Sequence, residues 1–193
     1  MDQDTILALF RRSGALLEGH FQLSSGLHSP GYLQCALVLQ HPHEASLLGA
    51  EIAARVSHLK PEIVVSPALG GVVIGQEVAR GLNTPAVFVE RRDGTMVLRR
   101  GFKLQRGERV LVVEDVVTTG RSTRETIEVV RGAGAQVVGV GAIVNRGGPA
   151  VSLDVDLQTL VSLSLPTYKP QDCPLCSNNE PLVQPGSRLK GSE

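Results

Sequence analysis

The 193 residues (20.5 kDa) are 42% hydrophobic and 20% charged, which suits a single domain able to bury its own core. Nineteen Lys+Arg balance nineteen Asp+Glu, and aromatics are 3% with no Trp; a broad basic face and base-stacking platforms are excluded, so no nucleic-acid partner is expected. Three cysteines are too few for a disulfide scaffold, no apolar run nears the roughly 20 residues of a membrane span, and the start, with Asp2, Asp4, Arg11 and Arg12, lacks the form of a signal peptide. The expectation is a soluble, cytoplasmic protein without a membrane partner.

Apolar spacing over residues 4–17 predicts an amphipathic helix, after which Ser24-Ser25-Gly26 and Ser29-Pro30-Gly31 break the pattern. Pro42 opens a second helix to about His58, with Ala45, Leu48, Ile52 and Val56 as its stripe. Ile63-Val64-Val65 reads as a strand, Pro67 to Gly71 as a loop and Gly71 to Gly81 as a helix. Ala86 to Val89 is the next strand, and Met96 to Leu98 an outlying one paired across the Asp93-Gly94 turn. Val110 to Val113, a helix from Ser122 to Arg131, and strands at Val137 to Val144 and Leu157 to Leu165 follow. Uninterrupted β-branched runs mean strands buried on both faces, and intervening helices mean parallel crossovers, so the fold class is α/β. Five of the 11 prolines fall after residue 165, which predicts a tail (166–193) of low regularity behind a domain spanning 1–165.

Charge is neutral in total but segregated along the chain. Arg91, Arg92, Arg99, Arg100, Lys103, Arg106 and Arg109 face only Asp93 and Glu108 within the same stretch. That surplus suits a pocket for a small polyanion. In an open parallel sheet, ligands sit at the carboxyl ends of strands. There the apolar Val112-Val113 runs into Glu114-Asp115, followed by Val116-Val117-Thr118-Thr119-Gly120-Arg121-Ser122. A Thr-Thr-Gly turn entering a helix offers amides, hydroxyls and a helix N-terminus to phosphate, and Ser122 with Glu125 has the spacing of a capping box. The two carboxylates would repel phosphate but accept from hydroxyls or approach a phosphate-bound Mg2+. Hydroxyl acceptors ahead of a phosphate cradle suit a ribose 5-phosphate. No Gly-Lys-Ser/Thr loop or Gly-x-Gly-x-x-Gly fingerprint is present.

This segment resembles the ribose-phosphate signature of type I phosphoribosyltransferases, which use 5-phosphoribosyl 1-diphosphate (PRPP) and Mg2+. Phe21-Gln22-Leu23-Ser24-Ser25-Gly26-Leu27-His28-Ser29-Pro30, Ser66-Pro67-Ala68-Leu69-Gly70-Gly71 and Asn145-Arg146-Gly147 narrow the resemblance to the orotate phosphoribosyltransferases. It covers roughly residues 4–165. It implies an open parallel-sheet type I phosphoribosyltransferase fold with helices on both faces. A small N-terminal hood (about 19–40) and an irregular C-terminal tail would complete it. The implied reaction joins orotate to the phosphoribosyl group of PRPP, giving orotidine 5-monophosphate and diphosphate on the route to UMP. By the same resemblance, residues Glu114 to Ser122, Arg91, Arg92, Ala68, Leu69 and Gly70 bind PRPP, while Thr118, Arg146 and Tyr32 meet orotate.

The chain also departs from that pattern. Relatives often carry lysines where Ser24 and Gly70 stand, and Lys and His in a mobile loop whose counterpart, Asp93 to Gly101, has neither. Arg99 and Arg100 are then expected to close over diphosphate, joining Glu114 and Asp115 as catalytic groups and completing a neighbouring site in a homodimer. Cys173-Pro-Leu-Cys176 has metal-knuckle spacing, but a tetrahedral zinc site needs two further ligands. Cys35 is distant and the tail holds no His. Unligated thiols are therefore expected, the alternative being two pairs meeting across a dimer. His20 and His28 read as structural, with His28 also placed to line the orotate side. Two other functions share the pocket: transfer to a purine base, which lacks the carboxylate Arg146 would bind, and a PRPP-binding regulator without turnover.

Overall fold

Asp2 caps the first helix, α1 (Gln3–Arg12), by accepting the amide of Thr5 at 2.8 Å. The sequence pattern carries this helix to residue 17, but it stops at Ser13. Gly14 takes φ +69°, and the Ala15 amide reaches back to the Phe10 carbonyl at 2.8 Å. Leu16 and Leu17 instead begin β1 (Leu16–Gln22), which pairs antiparallel with β2 (His28–Leu33). This computed structural model describes residues 1–23 and 25–185; Ser24 and the end of the tail, 186–193, lie outside the described residues.

The chain then alternates between helix and strand. A short α2 (Ala36–Leu39) leads to α3 (Pro42–Val56), β3 (Ile63–Pro67), α4 (Gly70–Leu82) and β4 (Ala86–Arg92). Next come β5 (Thr95–Leu98), β6 (Arg109–Val117), α5 (Arg121–Gly132), β7 (Gln136–Asn145) and β8 (Leu157–Ser162). The main sheet has the order β5-β4-β3-β6-β7-β8, parallel except for β5, which turns back on β4 across Asp93-Gly94, both at positive φ. The α/β class and the placement of the core strands match the sequence expectation.

Two apolar layers cover the sheet, and strand alternation assigns residues to them. Val64, Leu111, Val113 and Ile143 pack with α1, α3 and α4, including Leu48, Ile52, Ile74 and Val78. Their neighbours Ile63, Val65, Val110, Val112 and Val140 pack on the opposite layer with Ile127 and Val130 of α5. Helices therefore lie on both faces. No helix of the described residues is long and apolar enough to cross a membrane.

The tail is more regular than its prolines suggest. It carries a one-turn α6 (Pro174–Ser177) and a short β9 (Leu182–Val183) that pairs parallel with β1, making a second sheet of order β2-β1-β9.

Close approach of α3 and α4 depends on Gly49. A Cβ there would overlap the Cβ and backbone carbon of Glu77. Gly→Ala within a helix usually stabilises by about 0.5–1 kcal/mol, so the sign is informative here. Gly49→Ala is expected to destabilise the protein by about 1–3 kcal/mol in urea unfolding. Gly132→Ala, whose Cβ would meet nothing within 4 Å, should be neutral or slightly stabilising.

Candidate active site

Strand β6 does not end at its two carboxylates as the sequence suggested. Glu114 lies opposite Ala142, and the ladder continues through Val116 opposite Val144 and Val117 opposite Asn145. The reason is the ten-residue length of β7, which keeps supplying partners beyond the apolar run. Thr118 to Gly120 then turn the chain, with Gly120 at φ +72° as the residue entering α5. Ser122 is already inside that helix, so the expected capping box does not form. Glu125 instead pairs with Arg91 and with Arg121. The turn is held by other groups: Thr119 Oγ1 accepts the Arg121 amide at 3.3 Å, and the Arg124 guanidinium donates to the carbonyls of Thr119 (2.7 Å) and Ser152 (3.1 Å).

The alternation that sorts the core also sorts the two acids. Glu114 continues the side of Val110 and Val112, toward α5, where the fully buried Thr123 donates its hydroxyl to Oε2 at 2.7 Å. The other oxygen, Oε1, has no hydrogen-bond partner among the described residues. Burial raises the Glu114 carboxyl to about 7, with Thr123 opposing and the Asp115 charge reinforcing the shift. Asp115 continues the side of Leu111 and Val113, toward α4. Its carboxyl is also raised by burial, against the backbone amide of Val116 at 2.9 Å.

Three loops meet at this strand end. A Cβ on Gly70 would come within 2.7 Å of both Asp115 carboxylate oxygens, and one on Gly71 within 2.9 Å of the Val113 carbonyl. The sequence reads Pro67 to Gly71 as a loop, but the turn is only Ala68-Leu69, joined by a cis peptide, and α4 already begins at Gly70, which rests directly on Asp115. Glycine at position 70 suits that contact: a side chain would have to displace the carboxylate. On the other flank, a Cβ on Gly147 would overlap the Thr118 carbonyl, so the segment carrying Arg146 lies against the Thr118 turn. Asn145 shapes this segment by accepting the amides of Gly147 and Gly148, each at 3.0 Å, while the Arg146 amide donates to Val117 at 2.8 Å. The buried thiol of Cys35, beyond β2, is raised well above its ordinary value, first by burial and then by the Asp115 charge, with Arg146 opposing. Asp115 and Arg146 thus lie within electrostatic reach of one side chain.

The arginines expected from the sequence to meet phosphates engage carboxylates of the chain. Arg91 binds Glu125, Arg92 lies 3.6 Å from Asp93, and Arg99 and Arg100 bind the two oxygens of Glu90 at 3.2 and 2.9 Å. Arg100 also lies over the Phe88 ring, 5.6 Å from its centre. Tyr32, at the end of β2, is half-buried with its ring tilted against Phe21 at 5.9 Å. Thr118 and Thr119 are exposed at the turn; Val117 is buried.

Sequence reasoning missed Thr123, Arg124 and Asn145 as organisers of the site. Thr123 carried a usable signal, a polar residue at the start of α5 on the face that continues through Thr126, Ile127 and Val130. Arg124 and Asn145 act on main-chain carbonyls and amides, a role residue type alone does not announce.

The Phosphoribosyl transferase domain family matches residues 38–164. An orotate phosphoribosyltransferase of Pelotomaculum thermopropionicum is 50% identical over 97% of this chain and 99% of its own length. One of Caldicellulosiruptor bescii is 50% identical over 98% of this chain and 100% of its own. The crystal structure of orotate phosphoribosyltransferase from Aeropyrum pernix aligns with a TM-score of 0.68 at 28% identity, covering 82% of this chain and 93% of that one. Full-length similarity at this level, on a mostly parallel sheet whose strand end gathers the expected acids, turn and arginine, places the chain in the orotate phosphoribosyltransferase family.

Proposed function

We propose that the protein transfers the phosphoribosyl group of PRPP to N1 of orotate, forming orotidine 5-monophosphate and releasing diphosphate. The observation that carries this reading is the packing of Gly70, at the start of α4, on Asp115 and of the Gly147 segment on Thr118. These contacts support reading the segment at Ala68 to Gly70 as the diphosphate side, the end of β6 as the ribose-phosphate side and Arg146 as the orotate side of one site. Two full-length relatives named orotate phosphoribosyltransferase support the same substrate pair.

In this reading the Thr118 to Ser122 turn and the amides entering α5 hold the 5-phosphate. Glu114 and Asp115 accept from the ribose hydroxyls, and once ionised they stabilise positive charge on the sugar as the bond to diphosphate breaks. The Ala68 to Gly70 backbone, Arg91 and Arg92 face the diphosphate. Arg99 and Arg100 close over it after leaving Glu90, excluding water that would hydrolyse the donor. Arg146 offers a planar fork to the orotate carboxylate, Thr118 contributes a hydroxyl, and Tyr32 stacks on the ring. Hard oxygen donors at the end of β6, with Glu114 Oε1 available, suit Mg2+ arriving with PRPP; when bound, it neutralises charge on the leaving diphosphate. The reading carries with it a cytoplasmic homodimer in which loop 93–101 serves a neighbouring site. Domain limits at 1–165, with a hood near 19–40 and the tail from 166, belong to the same proposal.

A panel of orotate, adenine, guanine and hypoxanthine, each with PRPP and Mg2+, tests the reaction. Diphosphate release is expected with orotate; turnover confined to a purine, or PRPP binding without turnover, would sink the assignment. Asp115→Asn should lower kcat/KM by roughly 100-fold or more with an unchanged urea midpoint, since an amide suits a buried carboxyl that already resists ionisation. Arg146→Gln should raise the orotate KM by roughly 10- to 100-fold, the value of a charged hydrogen bond, while the PRPP KM stays within about twofold. Undiminished activity in either variant would count against the role proposed for that residue.

The shift of Glu114 has a definite sign in stability. Between its ordinary 4.5 and about 7 the folded state keeps a proton that the unfolded chain has lost, so stability falls as pH rises through this window. The full effect is about 3 kcal/mol at most, from 1.36 kcal/mol per unit. Tm of the ligand-free protein should therefore decline from pH 5 to 8, and Glu114→Gln should flatten the decline. An equally steep decline in the variant would show that Glu114 is not its source.

A further inference from the structure

Four side chains outside the candidate active site converge from opposite ends of the chain. His20 and His28 come from the β1–β2 hairpin, and Cys173 and Cys176 from the turn around α6. Their four ligand atoms all lie within 4.8 Å of one another. The two ligands that the Cys-x-x-Cys turn lacked in the sequence are these histidines, brought to it by strand pairing. His28, which the sequence also places to line the orotate side, turns to the tail instead.

We propose that these residues bind one structural Zn2+ within a single chain. At ordinary zinc bond lengths, tetrahedral geometry puts N···N near ~3.3 Å, N···S near ~3.6 Å and S···S near ~3.8 Å. His20 Nε2 lies 3.6 Å from the sulfur of Cys173 and 3.6 Å from that of Cys176. His28 Nδ1 lies 3.2 Å from Cys176 Sγ and 2.9 Å from His20 Nε2. A shared cation between the four atoms would open both of these His28 spacings slightly.

The tautomers point the same way. His20 Nδ1 lies 2.9 Å from the Glu180 carbonyl, which can only accept, so Nδ1 carries the proton and Nε2 presents its lone pair to the cluster. Two sulfurs and a second imidazole surround that lone pair. Two thiolates and two neutral imidazoles suit Zn2+ over a hard cation. Binding would release the two thiol protons to solvent, leaving a site of zero net charge in a largely buried setting. With four protein ligands there is no open position for catalysis.

The hairpin and tail are already joined on either side of the cluster. His28 and Tyr168 exchange main-chain hydrogen bonds at 2.8 Å in both directions, and β9 places Leu182 opposite His20. Zinc would lock this joint and hold the tail against the hairpin that carries Tyr32. The proposal does not rest on the phosphoribosyl-transfer reading.

The test uses tag-free, full-length protein purified without chelator and analysed by plasma mass spectrometry. About one zinc per chain is expected. Protein that is isolated without zinc but takes up one Zn2+ per chain, and shows the visible bands of tetrahedral thiolate-bound cobalt with Co2+, would equally support the site. No zinc on isolation and no uptake of either ion by the reduced protein would overturn it. The Cys173→Ser/Cys176→Ser double variant should lose the metal, and full zinc retention would overturn the ligand assignment. If that variant does not fold, the metal content and cobalt spectrum of the unaltered protein still decide. Chelation of the unaltered protein should lower Tm by roughly 5 °C or more; an unchanged Tm after complete zinc removal would refute the structural role.

Discussion

Two adjacent carboxyl groups at the buried end of one strand set the terms for everything around them. Each is costly to ionise there, and among the described residues neither is hydrogen-bonded by a lysine or arginine. The protein answers the two differently because a strand sends successive side chains to opposite faces. Glu114 meets the hydroxyl of Thr123 on the α5 side, whereas Asp115 meets the bare backbone of Gly70 on the α4 side. A hydroxyl on one face and a missing side chain on the other leave both acids with hydrogen-bonding capacity unspent. Energy withheld from folding in this way is available to a ligand that brings hydroxyls and positive charge.

Much of the fold could be read in the sequence because the core strands are short β-branched runs separated by helices with clear stripes, as in Ala45, Leu48, Ile52 and Val56. The misplaced boundaries share one cause. The end of α1 is set by the left-handed Gly14, and the length of β6 by what β7 offers beside it. Neither is a property of the residue at the boundary. The acids, the Thr-Thr-Gly turn and Arg146 were legible as chemistry. Thr123, Arg124 and Asn145 were not, since their partners are set by the way α5 and the loops pack.

The cysteine turn shows the limit most clearly. Its spacing was visible, but its histidines lie about 150 residues earlier, and only the pairing of β1 with β2 and β9 makes them neighbours. Strands β1 and β2, which fall largely in the hood that the resemblance implies, form one small sheet with β9 from the tail.

Glu90 gives the loop arginines a resting place, and this shapes the cycle proposed above. In that cycle a carboxylate already bound to Arg99 and Arg100 would act as an internal rival to diphosphate. Each turnover would exchange one anion for the other, so the arginines would pass between partners without being stripped of both. Such an exchange would weaken the grip on donor and product alike, and it would favour release once the sugar bond is made. Removal of the rival would strengthen retention of diphosphate and slow its departure. In the proposed cycle the tether would thereby trade affinity for speed.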